Sequence, residues 1–223
     1  MYRRPRSFLA ALLALSALLA WAPAHAQANA RANEAVPAPR GEWTLYGGQM
    51  IHNDLPPLAF DLVTGRVRTK SAYLVGVGYG LPLPAPPTWL SGGLSWIGVH
   101  EATAALDLIA VQHGGAESNP EIDLGYTLRS RYAAWGPAQV RVGAGLGPSL
   151  ALGRPSAEDG PNDTSPRRPR LQTYIGLELE ARMEDLPATG LVLRVHHRSS
   201  AYGLVATKNV GGNFIVLGLR HSF

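Results

Sequence analysis

The sequence predicts an all-β protein, an eight-stranded antiparallel transmembrane β-barrel of the outer membrane, and three observations support this. Apolar residues alternate with polar residues or glycine along several segments of about ten residues. Short and long polar connections alternate between these segments. The chain also begins with an export signal. A closed barrel of tilted, ten-residue strands satisfies every backbone hydrogen bond inside a bilayer.

The first 26 residues have the three parts of a secretory signal peptide. Three arginines precede an apolar run from about Phe8 to Ala22, and Ala24-His25-Ala26 is a small-residue cleavage site. The run is shorter than the ~20 residues that a spanning helix needs, so we expect cleavage rather than a retained anchor. Residues 27–41 then form an N-terminal leader segment, and residues 42–223 form the outer-membrane β-barrel.

Alternation assigns each strand residue to one of two faces. In TYIGLELEAR, residues 173–182, the apolar side chains share one face, and Glu178, Glu180 and Arg182 share the other with glycine. Opposed charges mixed with glycine suit a narrow, polar barrel interior better than open water, which favours a membrane barrel over a soluble β-sandwich. The predicted strands lie near residues 42–51, 71–82, 103–113, 121–132, 138–150, 171–183, 189–201 and 212–223.

The connections support the same topology. Residues 53–70 and 153–170 are long and polar, whereas AAWGPA and MEDLPATG are short. One connection departs from this order, because the proline-rich PLPAPPTW stands where a short turn is expected. Residues 90–113 alternate poorly, so the limits of the third strand are not fixed. The last strand ends in Phe223, which resembles the C-terminal assembly signal of outer-membrane proteins.

Alternation along LVLRVHHRSS, residues 191–200, places two adjacent histidines on opposite faces of the strand. The odd-numbered residues, which we call the first parity, begin with aliphatic side chains, so their face meets lipid. This places His197 and Ser199 on the outer wall above an apolar band. The second parity faces the lumen, where its arginines can meet Glu178, Glu180 and Asp123. The first parity holds Leu191, Leu193, Val195, His197 and Ser199, and the second holds Val192, Arg194, His196, Arg198 and Ser200.

The spacing of His197 and Ser199 suits nucleophilic catalysis. Cα atoms at i and i+2 of a strand lie roughly 6.5–7 Å apart on one face, which allows a histidine to activate a serine hydroxyl. With periplasmic termini, the seventh strand rises to the outer leaflet, where a nucleophile meets the acyl region of lipopolysaccharide. The alternative is that both residues are tolerated at the interface because headgroups and water reach them.

HRSSA at residues 197–201, GGNF at residues 211–214 and the terminal Phe223 resemble the outer-membrane lipid A 3-O-deacylases, the PagL family. These eight-stranded barrels carry a His-any-Ser-Asn-Ala motif on the lipid-facing wall. The resemblance implies that His197 is the general base and Ser199 the nucleophile. It is at motif level over about the last 35 residues and architectural elsewhere.

Two positions depart from the family pattern. Ser200 stands where the family has an asparagine of the oxyanion hole, and Asn213 stands at the position of its catalytic acid. Parity places Asn213 on the lipid-facing side, where it can neighbour His197. An amide orients an imidazole but lacks the charge that stabilises imidazolium, and this change costs a serine protease about 10⁴ in turnover. A weak hydrolase, a different acid and an inactive site all stay open.

The predicted function is a lipid A deacylase-like ester hydrolase that removes an ester-linked acyl chain from lipid A in the outer leaflet. The alternative is a non-catalytic small barrel of the OmpX or OmpW kind. Ser200 is a candidate substrate contact. Arg167, Arg168 and Arg170 either contact the phosphates of lipopolysaccharide or form a solvated loop.

No cofactor or metal is predicted, because the sequence has neither a lysine-bearing phosphate loop nor a metal-ligand motif. The absence of cysteine excludes disulfides and thiol catalysis. The expected partners are lipopolysaccharide and the outer membrane. Nucleic acid is not expected, since the net charge of +4 includes the basic signal peptide. A homodimer is left open.

Overall fold

A computed structural model describes residues 39–53, 55–96, 99–158, 169–201, 204–205 and 210–223. The predicted signal peptide and nearly all of the leader segment lie outside the described residues, so both stay predictions.

The strands form one closed antiparallel barrel. Each long strand pairs with its chain neighbour, β1 pairs with β9, and the pairing of β4 with β6 completes the ring. The short β5 pairs with β6 beyond the end of β4, so eight long strands make the wall, as predicted. The strands are β1 (Glu42–Ile51), β2 (Thr69–Leu83), β3 (Thr103–Gly115), β4 (Pro120–Arg129), β5 (Ala133–Trp135), β6 (Ala138–Ala151), β7 (Leu171–Met183), β8 (Thr189–Ser199) and β9 (Gly211–Ser222).

Several strand limits differ from the predicted ones by one to three residues. Strand β2 begins two residues earlier than predicted, at Thr69, and β4 ends three residues earlier, at Arg129. The third strand begins at Thr103 as expected but continues to Gly115. Strand β8 ends at Ser199, two residues before the predicted limit. The reason lies in Ala201, whose φ of 48° is left-handed and takes the chain out of the ladder.

Two helices occupy connections that the sequence predicted only as loops. Helix α1 (Leu55–Val63) follows β1, and helix α2 (Thr88–Trp96) replaces the short turn expected after β2. Helix α2 lies at the end of the barrel where β1 begins and β9 ends. Its Trp89 and Trp96 are 76 % and 89 % exposed. Exposed tryptophans are typical of a membrane–water interface. Neither helix is long and apolar enough to cross a membrane.

The outer wall is apolar and the lumen is polar, the reverse of a soluble protein. Leu191 on β8 and Leu217 on β9 are more than half exposed. The charged residues of alternate positions, such as Glu180 and Arg194, are buried. This arrangement confirms the predicted parity and presents to lipid the surface of a membrane barrel.

The lower lumen is filled by a charge-balanced network. Glu178 accepts hydrogen bonds from Arg129 at 2.6 Å, from Arg194 at 2.7 Å and from Arg220 at 3.0 Å. Because each buried charge is paired with at least one opposite charge, the cost of removing it from water is largely offset. Four arginines meet four carboxylates here: Arg129, Arg141, Arg194 and Arg220, with Glu42, Asp107, Glu178 and Glu180.

Glycines on the lumen face make room for these side chains. A Cβ on Gly145 would lie 2.6 Å from the Thr127 hydroxyl oxygen, and one on Gly78 would lie 2.7 Å from the Tyr46 hydroxyl oxygen. Both distances are far below van der Waals contact. The alternating glycines therefore allow a narrow lumen to hold large polar groups.

We expect Glu178→Gln to lower the free energy of unfolding by about 3–5 kcal/mol, because three buried guanidinium groups would lose their shared anion. Urea unfolding of the full chain in lipid vesicles, followed by tryptophan fluorescence, measures this. Glu184→Gln, at an exposed glutamate in the turn before β8, is the matched control. A loss below about 1 kcal/mol would contradict a network that depends on Glu178.

Candidate functional site

Strand β8 separates its two histidines as the sequence predicted. His196 is 2 % exposed in the lumen, whereas His197 and Ser199 are half-buried on the outer wall. The His196 Nε2 atom lies 2.8 Å from Glu121 Oε1, and its ring packs 5.1 Å from that of Tyr174. His196 is therefore part of the lumen interior, and His197 belongs to the lipid-facing surface.

Strand register brings the three predicted catalytic residues onto one patch of the wall. His197 is directly opposite Asn213 on β9. Directly opposite residues have Cβ atoms about 4.5–5.5 Å apart, so their side chains are neighbours. Ser199 follows on the same face of β8, opposite Gly211 on one side and Thr173 on the other. Gly211 packs closely against β8 beside the serine, because a Cβ on it would overlap the Arg198 carbonyl oxygen.

The amide of Asn213 is oriented by the connection after β1. Its Nδ2 atom donates a hydrogen bond to the backbone oxygen of Asn53 at 2.8 Å. The side chain of Asn53 is itself fixed, because it donates to Asp61 of α1 at 2.7 Å and accepts from the backbone N–H of Arg68 at 2.8 Å. A carboxylate at position 213 would lack this donor and would face a carbonyl oxygen. The local structure thus explains why an amide fits here.

Ser199 lies at the start of a strained turn. Its Oγ atom accepts a hydrogen bond from the backbone N–H of Ala201 at 3.1 Å. Ala201 adopts a left-handed φ of 48°, which costs a non-glycine residue about 1–2 kcal/mol. The strain directs a backbone donor at the oxygen of the candidate nucleophile.

Ser200 is separated from this patch. Its side chain is 3 % exposed and belongs to the lumen parity, and its backbone N–H donates to the carbonyl of Val210 at 3.2 Å. The donor nearest to Ser199 that the structure describes is therefore the Ala201 amide, not a group of Ser200.

The arginines proposed for lipopolysaccharide binding are only partly described. Arg167 and Arg168 lie outside the described residues. Arg170 is exposed at the outer rim, three residues before Thr173, and donates to the carbonyls of Ala151 and Leu152 at 2.9 and 3.1 Å. These bonds hold its guanidinium at the rim of the barrel.

Sequence reasoning missed one cluster, formed by Glu121, Asp123 and His196 inside the lumen. One donor atom from each lies within 4.8 Å of the others. Parity places all three in the lumen, but the alternation pattern does not reveal that β4 and β8 face each other at this height.

Comparisons with known proteins show the fold. The chain matches no protein-family model, and no curated protein matches it in sequence. The crystal structure of the outer membrane enzyme PagL has a TM-score of 0.54 and 14 % identity, covering 82 % of this chain and 99 % of that one. Neisserial surface protein A has a TM-score of 0.46 and 12 % identity, covering 82 % and 96 %. OprG from Pseudomonas aeruginosa has a TM-score of 0.33 and 10 % identity, covering 83 % and 97 %. The chain has the fold of small, eight-stranded outer-membrane barrels.

Proposed function

We propose that this chain is an outer-membrane ester hydrolase that removes an ester-linked acyl chain from lipid A of lipopolysaccharide. The observation that carries the proposal is the shared patch of His197, Ser199 and Asn213 on the lipid-facing wall. The similarity of HRSSA to the motif of lipid A 3-O-deacylases supports the same function.

The wall beside the patch suits an acyl chain. Strands β7, β8 and β9 continue away from the site with leucines that include Leu179, Leu193 and Leu217, which are 40–59 % exposed. An acyl chain bound against this surface extends parallel to the neighbouring lipids. Its ester then lies at the outer boundary, next to Ser199, while Arg170 at the rim is available to lipid A phosphates.

The chemistry follows from the atoms at the site. His197 accepts the proton of the Ser199 hydroxyl as Oγ attacks the ester carbonyl carbon. The Ala201 N–H, which donates to Ser199 Oγ, stabilises the negative charge that develops on Oγ as its proton leaves. Collapse of the intermediate breaks the bond to the sugar oxygen, which takes the proton from His197. Water, activated by the same histidine, then hydrolyses the acyl-serine and releases a fatty acid.

Asn213 positions the base. Its amide oxygen is buried and makes no hydrogen bond with the residues that the structure describes, so it is available to accept the Nδ1–H of His197 and to fix the tautomer that leaves Nε2 ready for the serine. Its amide nitrogen stays bonded to the Asn53 carbonyl. The amide offers no negative charge to the imidazolium, so we expect slow turnover.

The neutral Asn213 also favours a second candidate, a non-catalytic small barrel with a structural or surface-interaction role. In that case His197 and Ser199 are interface residues in contact with headgroups and water. The two candidates differ in whether lipid A is altered.

We expect Ser199→Ala to abolish acyl release, with at least a 100-fold loss, because the variant has no nucleophile. The measurement is mass spectrometry of lipid A from cells that express each variant, together with fatty-acid release by the purified full chain. Ser71→Ala, at an exposed serine near the outer end of β2, is the matched control and should retain activity. Identical, unmodified lipid A from wild type and Ser199→Ala, in a host with suitable acyl chains, would support the non-catalytic candidate.

We expect Asn213→Glu to raise turnover at least 10-fold, because a carboxylate stabilises the imidazolium that an amide cannot. The gain in turnover is limited, because a glutamate cannot donate the hydrogen bond that Asn213 donates to the Asn53 carbonyl. Asn213→Gln is the control, since it has the same length without the charge and should not exceed wild type. Equal rates for the glutamate and glutamine variants would show that charge at this position does not limit the reaction.

A further inference from the structure

The outer half of the lumen holds a second polar cluster whose charges do not balance. Its four carboxylates face one arginine, whereas the lower network has four of each. Every member is at most 2 % exposed. The cluster consists of Glu117, Glu121, Asp123 and Glu158, with Arg198, His113 and His196.

Arg198 cannot compensate all four carboxylates. Its guanidinium donates to Glu158 at 2.6 Å, to Ser149 at 2.8 Å and to the carbonyl of Arg170 at 2.8 Å. Its remaining acidic contact is Glu121, at 3.2 Å. Burial raises the pKa of Glu158, in the loop above the strands, to about 7 despite the arginine beside it. The cluster therefore lacks positive charge.

Asp123 and Glu117 are the least compensated members. Both are fully buried, and no oxygen of either meets hydrogen-bond geometry with any residue that the structure describes. The nearest cationic candidate for Asp123 is His196, whose Nε2 lies 3.7 Å from Asp123 Oδ2. A buried carboxylate without a partner is costly, so the Asp123 side chain points to a bound cation.

The donor atoms have the spacing of a coordination shell. Glu121 Oε1 and His196 Nε2 are 2.8 Å apart, His196 Nε2 and Asp123 Oδ2 are 3.7 Å apart, and all three donors fall within 4.8 Å. Metal–ligand bonds of about 2.0–2.2 Å place adjacent donors roughly 3–3.5 Å apart. A small shift of these side chains therefore suffices for a common ion.

Residues around the donors resemble an outer coordination shell. The second oxygen of Glu121 accepts from His113 Nε2 at 2.9 Å and lies 3.2 Å from Arg198 Nε. These contacts fix the carboxylate with its other oxygen directed at His196. Outer partners of this kind orient the ligands of protein metal sites.

We propose that Glu121, Asp123 and His196 bind one divalent cation of the zinc class, which links β4 to β8 across the lumen. An imidazole nitrogen in the donor set favours Zn²⁺ over Mg²⁺ and Ca²⁺, which prefer oxygen ligands. The ion supplies two of the missing positive charges and gives Asp123 a partner. It joins residues 75 positions apart in the chain and is independent of the proposed ester hydrolysis.

The test uses the full chain folded in detergent micelles, stripped with a chelator and titrated with Zn²⁺. Elemental analysis after gel filtration should find one zinc per chain, and excess Mg²⁺ should not displace it. Asp123→Asn and His196→Gln should weaken binding at least 10-fold, because each removes a ligand. Asp185→Asn and His100→Gln, at exposed positions outside the cluster, are matched controls and should bind as wild type does.

A second readout is stability. Zn²⁺ at 100 times the wild-type dissociation constant should raise the unfolding midpoint of wild type by roughly 5 °C or more, and that of Asp123→Asn by no more than about half as much. Asp123→Asn removes a buried charge that has no hydrogen bond with the described residues, so we expect this variant to fold, and gel mobility checks that it does. It therefore serves as the test variant even where His196→Gln fails to fold. The proposal is overturned if wild type retains no zinc at millimolar concentration, or if Asp123→Asn binds zinc as tightly as wild type.

Discussion

Every feature of this molecule depends on the two-sided geometry of a narrow closed barrel. Each strand residue points either into a lumen too small for bulk water or out towards lipid, and its neighbour points the other way. A functional polar group on the outside is therefore restricted to the edge of the apolar band. His197 and Ser199 lie at that edge, at the outer end of β8, whereas His196, on the opposite face of β8, is buried in the lumen.

Much of the fold could be predicted because parity is a local property of the sequence. Alternation identified the eight long strands, the lumen glycines and the meeting of arginines with Glu178. It did not identify the two helices. LPPLAFDLV begins with two prolines after its leucine, and TWLSGGLSW contains two glycines, so both segments have the composition of loops. Their helical structure depends on context that no nine-residue window contains.

For the candidate site, parity predicted only which face of its strand each residue occupies. Parity placed Asn213 on the face of His197, and the register then made the two direct neighbours. The hydrogen bond from Asn213 to Asn53 joins residues 160 positions apart and depends on the path of the loop before α1. The Glu121–Asp123–His196 cluster likewise requires the closure of the barrel and the heights of two facing strands. Such distances follow from tertiary structure, not from spacing.

The lumen also determines how well the outer wall can hold an ordered patch of polar residues. Lipid tails offer no directional contacts, so they cannot hold His197 and Ser199 in a reactive geometry. The alternate residues of β8 can, because Arg194, His196 and Arg198 bind Glu178, Glu121 and Glu158 from the inside. On β9, Phe214 is fully buried beside Asn213 and fixes that strand in the same way. Buried contacts on one face of each strand thus position the polar residues on the other, which explains how a membrane-exposed surface can carry an ordered site.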